Sequence, residues 1–350
     1  MRNVIVAAIL GTFASPLSAQ VRLNGAGATF PNIIYQNWVL TYNQKFDNVE
    51  INYQSIGSGG GIRQFSDKTV DFGGSDAPMT DSAIAAIQGN VLHIPTVLGA
   101  VVPTYNLAEV ATPVKFTADV VADIFLGKIT KWNDARIATV NQGVTLPNQD
   151  IIVVHRSDGS GTSFIFTDYL SKVSPDWLQK VGKGTSVNWP VGLGGRGNEG
   201  VAATVRQTPG AIGYVELGYA LVNKMAAGQV QNKSGSFITP SIESVTQAAA
   251  GAMATMAPTT DFRVSITDPA GADAYPISSF TWLLVRKDYP DGTKARELVK
   301  FIWWSLTVGQ AQCAKLGYAP LPKPMLPWIE ARLKTVMAGG KPVWSGPAAR

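Results

Sequence analysis

Apolar positions recur with two different periods along this chain, and the switches between them outline alternating strands and helices. Val49, Ile51 and Tyr53 are separated by polar residues, which predicts a strand with one buried face. Just before them, Ile34, Trp38 and Tyr42 recur at helical spacing, with Tyr35 and Val39 widening the stripe. Pro31 suits the first position of that helix, where its missing N–H costs nothing. Ile151 to Val154 is a continuous apolar run, expected of a strand covered on both faces. A Gly/Ser turn follows, and then a helical segment carrying Phe164, Phe166, Tyr169, Leu170 and Val173. Thr281 to Val285 is another buried-strand candidate. The stretch from about Gln229 to Pro258 predicts a surface helix with loops, and Pro320 to Pro327 a loop before a last short helix. This alternation predicts α/β layers rather than an all-α or all-β domain.

Composition narrows the function classes. A chain of 350 residues is comfortable for two domains. With 45% hydrophobic and 15% charged residues it can build sizeable cores and is not disordered. The net charge is +5, but the basic residues are scattered, which excludes a nucleic-acid stripe and leaves a mild field favouring anions. Cys313 is the only cysteine, so no intramolecular disulfide forms. With only His93 and His155 beside it, neither a Cys/His metal site nor a cofactor is expected. At the N-terminus, Arg2, the apolar run Val4 to Ala14 and the small pair Ser18-Ala19 predict an export signal over residues 1–19. That run falls well short of the roughly 20 apolar residues that span a bilayer. No cysteine follows the cleavage point to take a lipid, so a soluble chain outside the cytoplasm is expected.

Three small-residue turns stand out, each between a strand and a helix start: Gly25 to Pro31, Ile56 to Gly61, and Arg156 to Ser163. Glycine lets the backbone approach a ligand closely. A helix start offers unpaired N–H groups and a partial positive charge, and Ser and Thr add hydroxyl donors. Any one turn could be an ordinary loop. Three together, one carrying an arginine, could converge on a single small oxyanion. A fourth segment, Val70 to Pro78, reads as a strand ending in a turn with Asp76 at its exit. A carboxylate beside an anion repels it unless the anion carries a proton that the carboxylate can accept. Such an acid would admit phosphate and turn sulfate away. The alternative for Asp76 is a cap on its own turn. Arg156 would grip two anion oxygens, with Asp158 holding the guanidinium; the alternative is a solvated ion pair.

At these residues the sequence resembles the periplasmic phosphate-binding proteins of bacterial high-affinity phosphate ABC importers, the PstS family. The matching pieces are Gly25 to Pro31, Gly57-Ser58, Asp71 to Gly73 with Ser75 to Pro78, Asp158 to Phe164, Gly197-Asn198 through Ala203, and Pro209 to Tyr214. The resemblance implies a type II periplasmic-binding-protein fold: two α/β domains joined by two crossover strands, with the ligand cleft between them. It implies crossovers near Val97 to Tyr105 and Phe280 to Val285. One domain would then comprise 20–100 with 283–350, and the other 101–282. It further implies phosphate contacts from Thr29, Phe30, Ser58, Asp76, Arg156, Ser160, Gly161 and Thr162, with Asp158 as the partner of the arginine. His155, before the arginine, is expected to pack or orient rather than bind. The expected partners are inorganic phosphate and an inner-membrane ABC permease. A monomer without nucleic acid and without enzymatic activity is expected.

Rival readings fail on particular residues. Gly192 to Gly197 matches G-x-G-x-x-G, with Glu216 about 20 residues on, as in dinucleotide-binding turns. Yet Pro190 sits where the preceding strand should run. A phosphate-loop NTPase needs Gly-Lys-Ser/Thr, and Gly61-Ile62-Arg63 does not supply it. A serine hydrolase needs a nucleophile turn with a usable histidine, whereas Ser160 lies between adjacent glycines. The zinc-dependent form of the remaining rival, a secreted phosphatase, needs more histidines than two.

Overall fold

Val49, Ile51 and Tyr53 do face inward from a strand, Val49–Ser55, in strict alternation with exposed neighbours. This is seen in a computed structural model of the chain, which describes residues 20–347. The predicted export signal lies outside the described residues. The helix before that strand runs Asn32–Lys45, with Pro31 one position ahead of it, and buries all five residues of its apolar stripe. Trp38 anchors it, donating from its indole to the Gly309 carbonyl at 2.9 Å. Tyr42 packs edge-on to Phe301 and Trp304, so the late helix Gly292–Thr307 folds back onto the N-terminal elements.

The main sheet has the order Val49–Ser55, Val21–Gly27, Phe72–Ser75, Ser278–Val285, Leu92–Tyr105, Ala211–Glu216, Ile152–Arg156, Leu193–Gly195. Each end of it is parallel, and the three pairings across the middle, from Phe72–Ser75 to Ala211–Glu216, are antiparallel. Leu92–Tyr105 is buried along its whole length. It pairs with Ser278–Val285 as far as Ala100, and from Val101 onward with Ala211–Glu216. One strand therefore belongs to both halves of the sheet. In the Ile151 to Val154 run only Val153 and Val154 are buried, because a single short strand lies outside this one at the sheet edge. Ser278–Val285, at the centre, is buried throughout.

Two stretches differ from expectation. Gln229 to Pro258 opens with short strands, Gln229–Gln231 and Phe237–Ile238, before the helix Ile242–Met253. That helix is not wholly a surface element: Val245, Ala248 and Ala249 are buried, small residues allowing close approach to the sheet. After Pro320 the chain makes a 3-10 turn, Lys323–Met325, that runs directly into the helix Leu326–Leu333. Among the described residues, no helix is long and apolar enough to cross a membrane.

Candidate functional site

The three small-residue turns meet at one place. Thr29 and Phe30 precede the helix Asn32–Lys45, Ser58 is the first residue of the helix Ser58–Ser66, and Ser160 caps the helix Gly161–Val173. Each helix start brings a partial charge of about +0.5 and N–H groups without intrahelical acceptors. No described residue accepts a hydrogen bond from the N–H of Thr29, Phe30, Ser58, Gly161 or Thr162. The Phe30 ring lies in the core, so only its backbone faces the site. Ser160 turns its hydroxyl oxygen inward to accept from Ser163 N–H at 3.0 Å, leaving its proton available.

Arg156, at the end of Ile152–Arg156, is buried, and its side chain reaches across between the sheet halves. Nε donates to Asp158 Oδ1 at 2.8 Å and Nη2 to Oδ2 at 2.5 Å, a fork that fixes the guanidinium plane. Nη1 is thereby aimed at the hydroxyls of Thr29, at 3.1 Å, and Thr162, at 3.3 Å. Burial opposes ionisation of Asp158, but the bonds from Arg156 and from Gly197 N–H outweigh it and hold the carboxyl below its ordinary range. His155 stacks on Trp189 at 4.9 Å, which fits the packing role expected of it.

Asp76 follows the strand Phe72–Ser75 and is fully buried opposite the Gly161 helix start. Its N–H donates to Ser58 Oγ at 3.1 Å, and the Ser58 hydroxyl donates back to Oδ2 at 3.3 Å. Thr281 donates to Oδ1 at 2.7 Å. Burial pushes the Asp76 carboxyl up to about 7; Thr281, Arg156 and Ser58 pull in the opposite direction. Glycine is required where the two sides touch. A Cβ on Gly161 would lie 2.5 Å from Asp76 Oδ2 and 2.6 Å from Asp76 Cβ. Gly57, at φ +86°, has Asp158 and the Gly159 carbonyl in the same relation.

All the residues singled out from the sequence gather here, and two more join them. Asn198, in the first turn of the helix Gly197–Gln207, donates from Nδ2 to Thr29 Oγ1 at 2.6 Å and Thr162 Oγ1 at 3.0 Å. It therefore bridges turns from both halves. Asn198 lay within a matching segment but had no visible partner in the sequence. Thr281 gave no signal at all, being one hydroxyl in an apolar strand.

A buried, charge-lined junction between two α/β halves that share one strand defines a ligand-clamping protein of the type II periplasmic-binding fold. A family profile described as a PBP superfamily domain matches residues 14–307. The phosphate-binding protein PstS of Pasteurella multocida is 45% identical over 348 residues, covering 98% of this chain and 99% of the relative. PstS of Xylella fastidiosa strain 9a5c is 47% identical, over 92% and 88%. Among solved structures, a phosphate-binding protein from Stenotrophomonas maltophilia superposes with a TM-score of 0.70 at 20% identity, over 92% and 96%. A high-affinity periplasmic phosphate-binding protein bound with phosphate at pH 8.5 gives 0.72 at 21%, over 92% and 96%. The chain belongs to the PstS family of phosphate-binding proteins, a family of transport binding proteins and not of enzymes.

Proposed function

We propose that this chain binds inorganic phosphate in the periplasm and delivers it to an ABC-type import permease, selecting a protonated oxyanion over sulfate. The observation that carries this reading is the convergence of free N–H groups from three helix starts and Arg156 Nη1 on one junction that also holds Asp76. Donors alone would suit any tetrahedral anion. Asp76 adds an acceptor, and an acceptor is useful only toward an anion that brings a proton. The phosphate contacts are Thr29, Phe30, Ser58, Asp76, Arg156, Ser160, Gly161 and Thr162. They come from both proposed domains, 20–100 with 283–350 and 101–282, so closure of the clamp accompanies binding.

Calorimetric titration tests the reading directly. One phosphate per chain and no heat from sulfate at alkaline pH, where Asp76 is ionised, is expected; equal affinity for the two there would overturn the selectivity. In Asp76→Asn, a charge-assisted hydrogen bond is lost while carboxylate–anion repulsion is relieved. Phosphate affinity should then move by no more than about 1–2 kcal/mol, the size of one charged hydrogen bond. Sulfate should gain, because the amide can donate where the carboxylate could only repel. A phosphate-to-sulfate affinity ratio unchanged from wild type, at fixed pH and salt, would remove Asp76 as the selecting group.

A further inference from the structure

Asp76 has two carboxylate oxygens, and their surroundings are unequal. Oδ2 faces Ser58 and the start of the Gly161 helix, where the anion donors gather. Oδ1 is turned away and takes the hydroxyl proton of Thr281 at 2.7 Å. The aim of Thr281 is itself built into the sheet. Thr281 pairs with Val97 but Trp282 pairs with Pro95, so Thr96 is an extra residue in the long strand at this point. A bulge of this kind redirects side chains near functional sites. Here it places Thr96 Oγ1 to donate to the Thr281 carbonyl at 3.2 Å. Thr96 Oγ1 accepts in turn from the Tyr35 hydroxyl at 2.7 Å. Tyr35, Thr96, Thr281 and Asp76 are all buried, so the bond from the Thr281 hydroxyl to Oδ1 is sheltered from water.

We propose that Thr281 is the positioning residue for Asp76: by saturating Oδ1 it keeps the carboxylate an acceptor, and so extends the exclusion of fully deprotonated oxyanions such as sulfate to lower pH. This rests on the phosphate-binding reading above. The chemistry turns on the proton. An ionised Asp76 can only accept, which suits phosphate and repels sulfate. A protonated Asp76 becomes a donor at Oδ2, as Asn would be, and a sulfate oxygen is then a fitting partner. Burial is the main influence raising the Asp76 carboxyl toward 7, and the Thr281 hydroxyl is the largest one opposing it. The other groups within electrostatic reach are Arg156, which favours the charged form, and Tyr35, Tyr53, Tyr318 and Glu216. Burial drives those last four upward, Glu216 well above the ordinary carboxylate range, which favours their uncharged forms beside Asp76.

Sulfate should begin to bind as pH falls through the Asp76 titration, and removing the Thr281 donor should move that onset upward. The experiment is calorimetric titration of sulfate and phosphate between pH 5 and pH 9 into wild type, Thr281→Val and Thr281→Ser. In wild type, sulfate affinity should rise as pH falls below about 7. Thr281→Val should shift the onset up by about one pH unit, a roughly tenfold gain in sulfate affinity at fixed alkaline pH. Phosphate, which brings its own proton, should change less. Thr281→Ser retains the donor and should restore the wild-type profile, which mere loss of packing would not predict. A Thr281→Val profile superimposable on wild type overturns the inference. So does a wild type that excludes sulfate equally at pH 5 and pH 8, a measurement that needs no variant to fold. A wild type that binds no phosphate overturns the underlying reading, and this one with it.

Discussion

Replacing Arg156 with alanine should weaken phosphate binding by about 3–5 kcal/mol, two to nearly four orders of magnitude in Kd. The size follows from burial. The guanidinium is fully enclosed, and Nη1 is the one part of it not committed to Asp158. Deleting it removes the only cation named at the site and leaves Asp158, half-buried, as an unpaired negative charge beside an incoming anion. Both consequences act in the same direction. Lysine should recover part of the loss, because an ammonium supplies charge but cannot hold Asp158 with two parallel bonds and present a third donor. The check is calorimetry, with thermal unfolding of the ligand-free variant alongside. A loss below about 1 kcal/mol would mean the arginine behaves as an exposed ion pair and does not touch the anion.

Gly161→Ala should separate closing from folding. Gly161 sits at the first position of its helix without positive φ, so alanine is conformationally welcome there. The obstacle is across the junction: the new methyl group would enter the space of Asp76 and the Ser58 hydroxyl, both carried by the other half of the sheet. Overpacking of this kind costs about 1–3 kcal/mol, and more where the neighbours are buried and cannot yield. Phosphate affinity should therefore fall about tenfold to a hundredfold or more, while ligand-free thermal stability stays near wild type. Small-angle scattering should show less compaction on adding phosphate than in wild type. Undiminished affinity with full compaction would show that the halves do not approach as closely in the bound state as they do here.

How far the sequence could be read depended on the range of the interactions. Helix Asn32–Lys45 and strand Val49–Ser55 are set by local periodicity, and both were legible from their apolar spacing. The glycine turns were legible because small residues in a short stretch have few other uses. The partner of each turn was not. Thr29 meets Arg156 and Asn198 far along the chain, and no local pattern encodes that meeting. Asp76 was picked out by the oddity of an acid among anion donors, whereas its orientation by Thr281 depends on a bulge between distant strands. In the Gln229 to Pro258 stretch, alanines that look like surface filler are the close contacts of a packed helix.

The shared strand also bears on when this chain can fold. Leu92–Tyr105 lies at the centre of the sheet, yet its pairing runs from Leu92 to Val285, a residue made late in synthesis. Until Ser278–Val285 exists, the N-terminal half has a gap in its sheet, and the Gly292–Thr307 helix that covers it is missing too. Contacts so distant in sequence impose a slow, late search. In a nascent chain of this topology the N-terminal half cannot complete its sheet until most of the chain has been made. Both ends of the sequence thus build the same half of the sheet, and that half closes last.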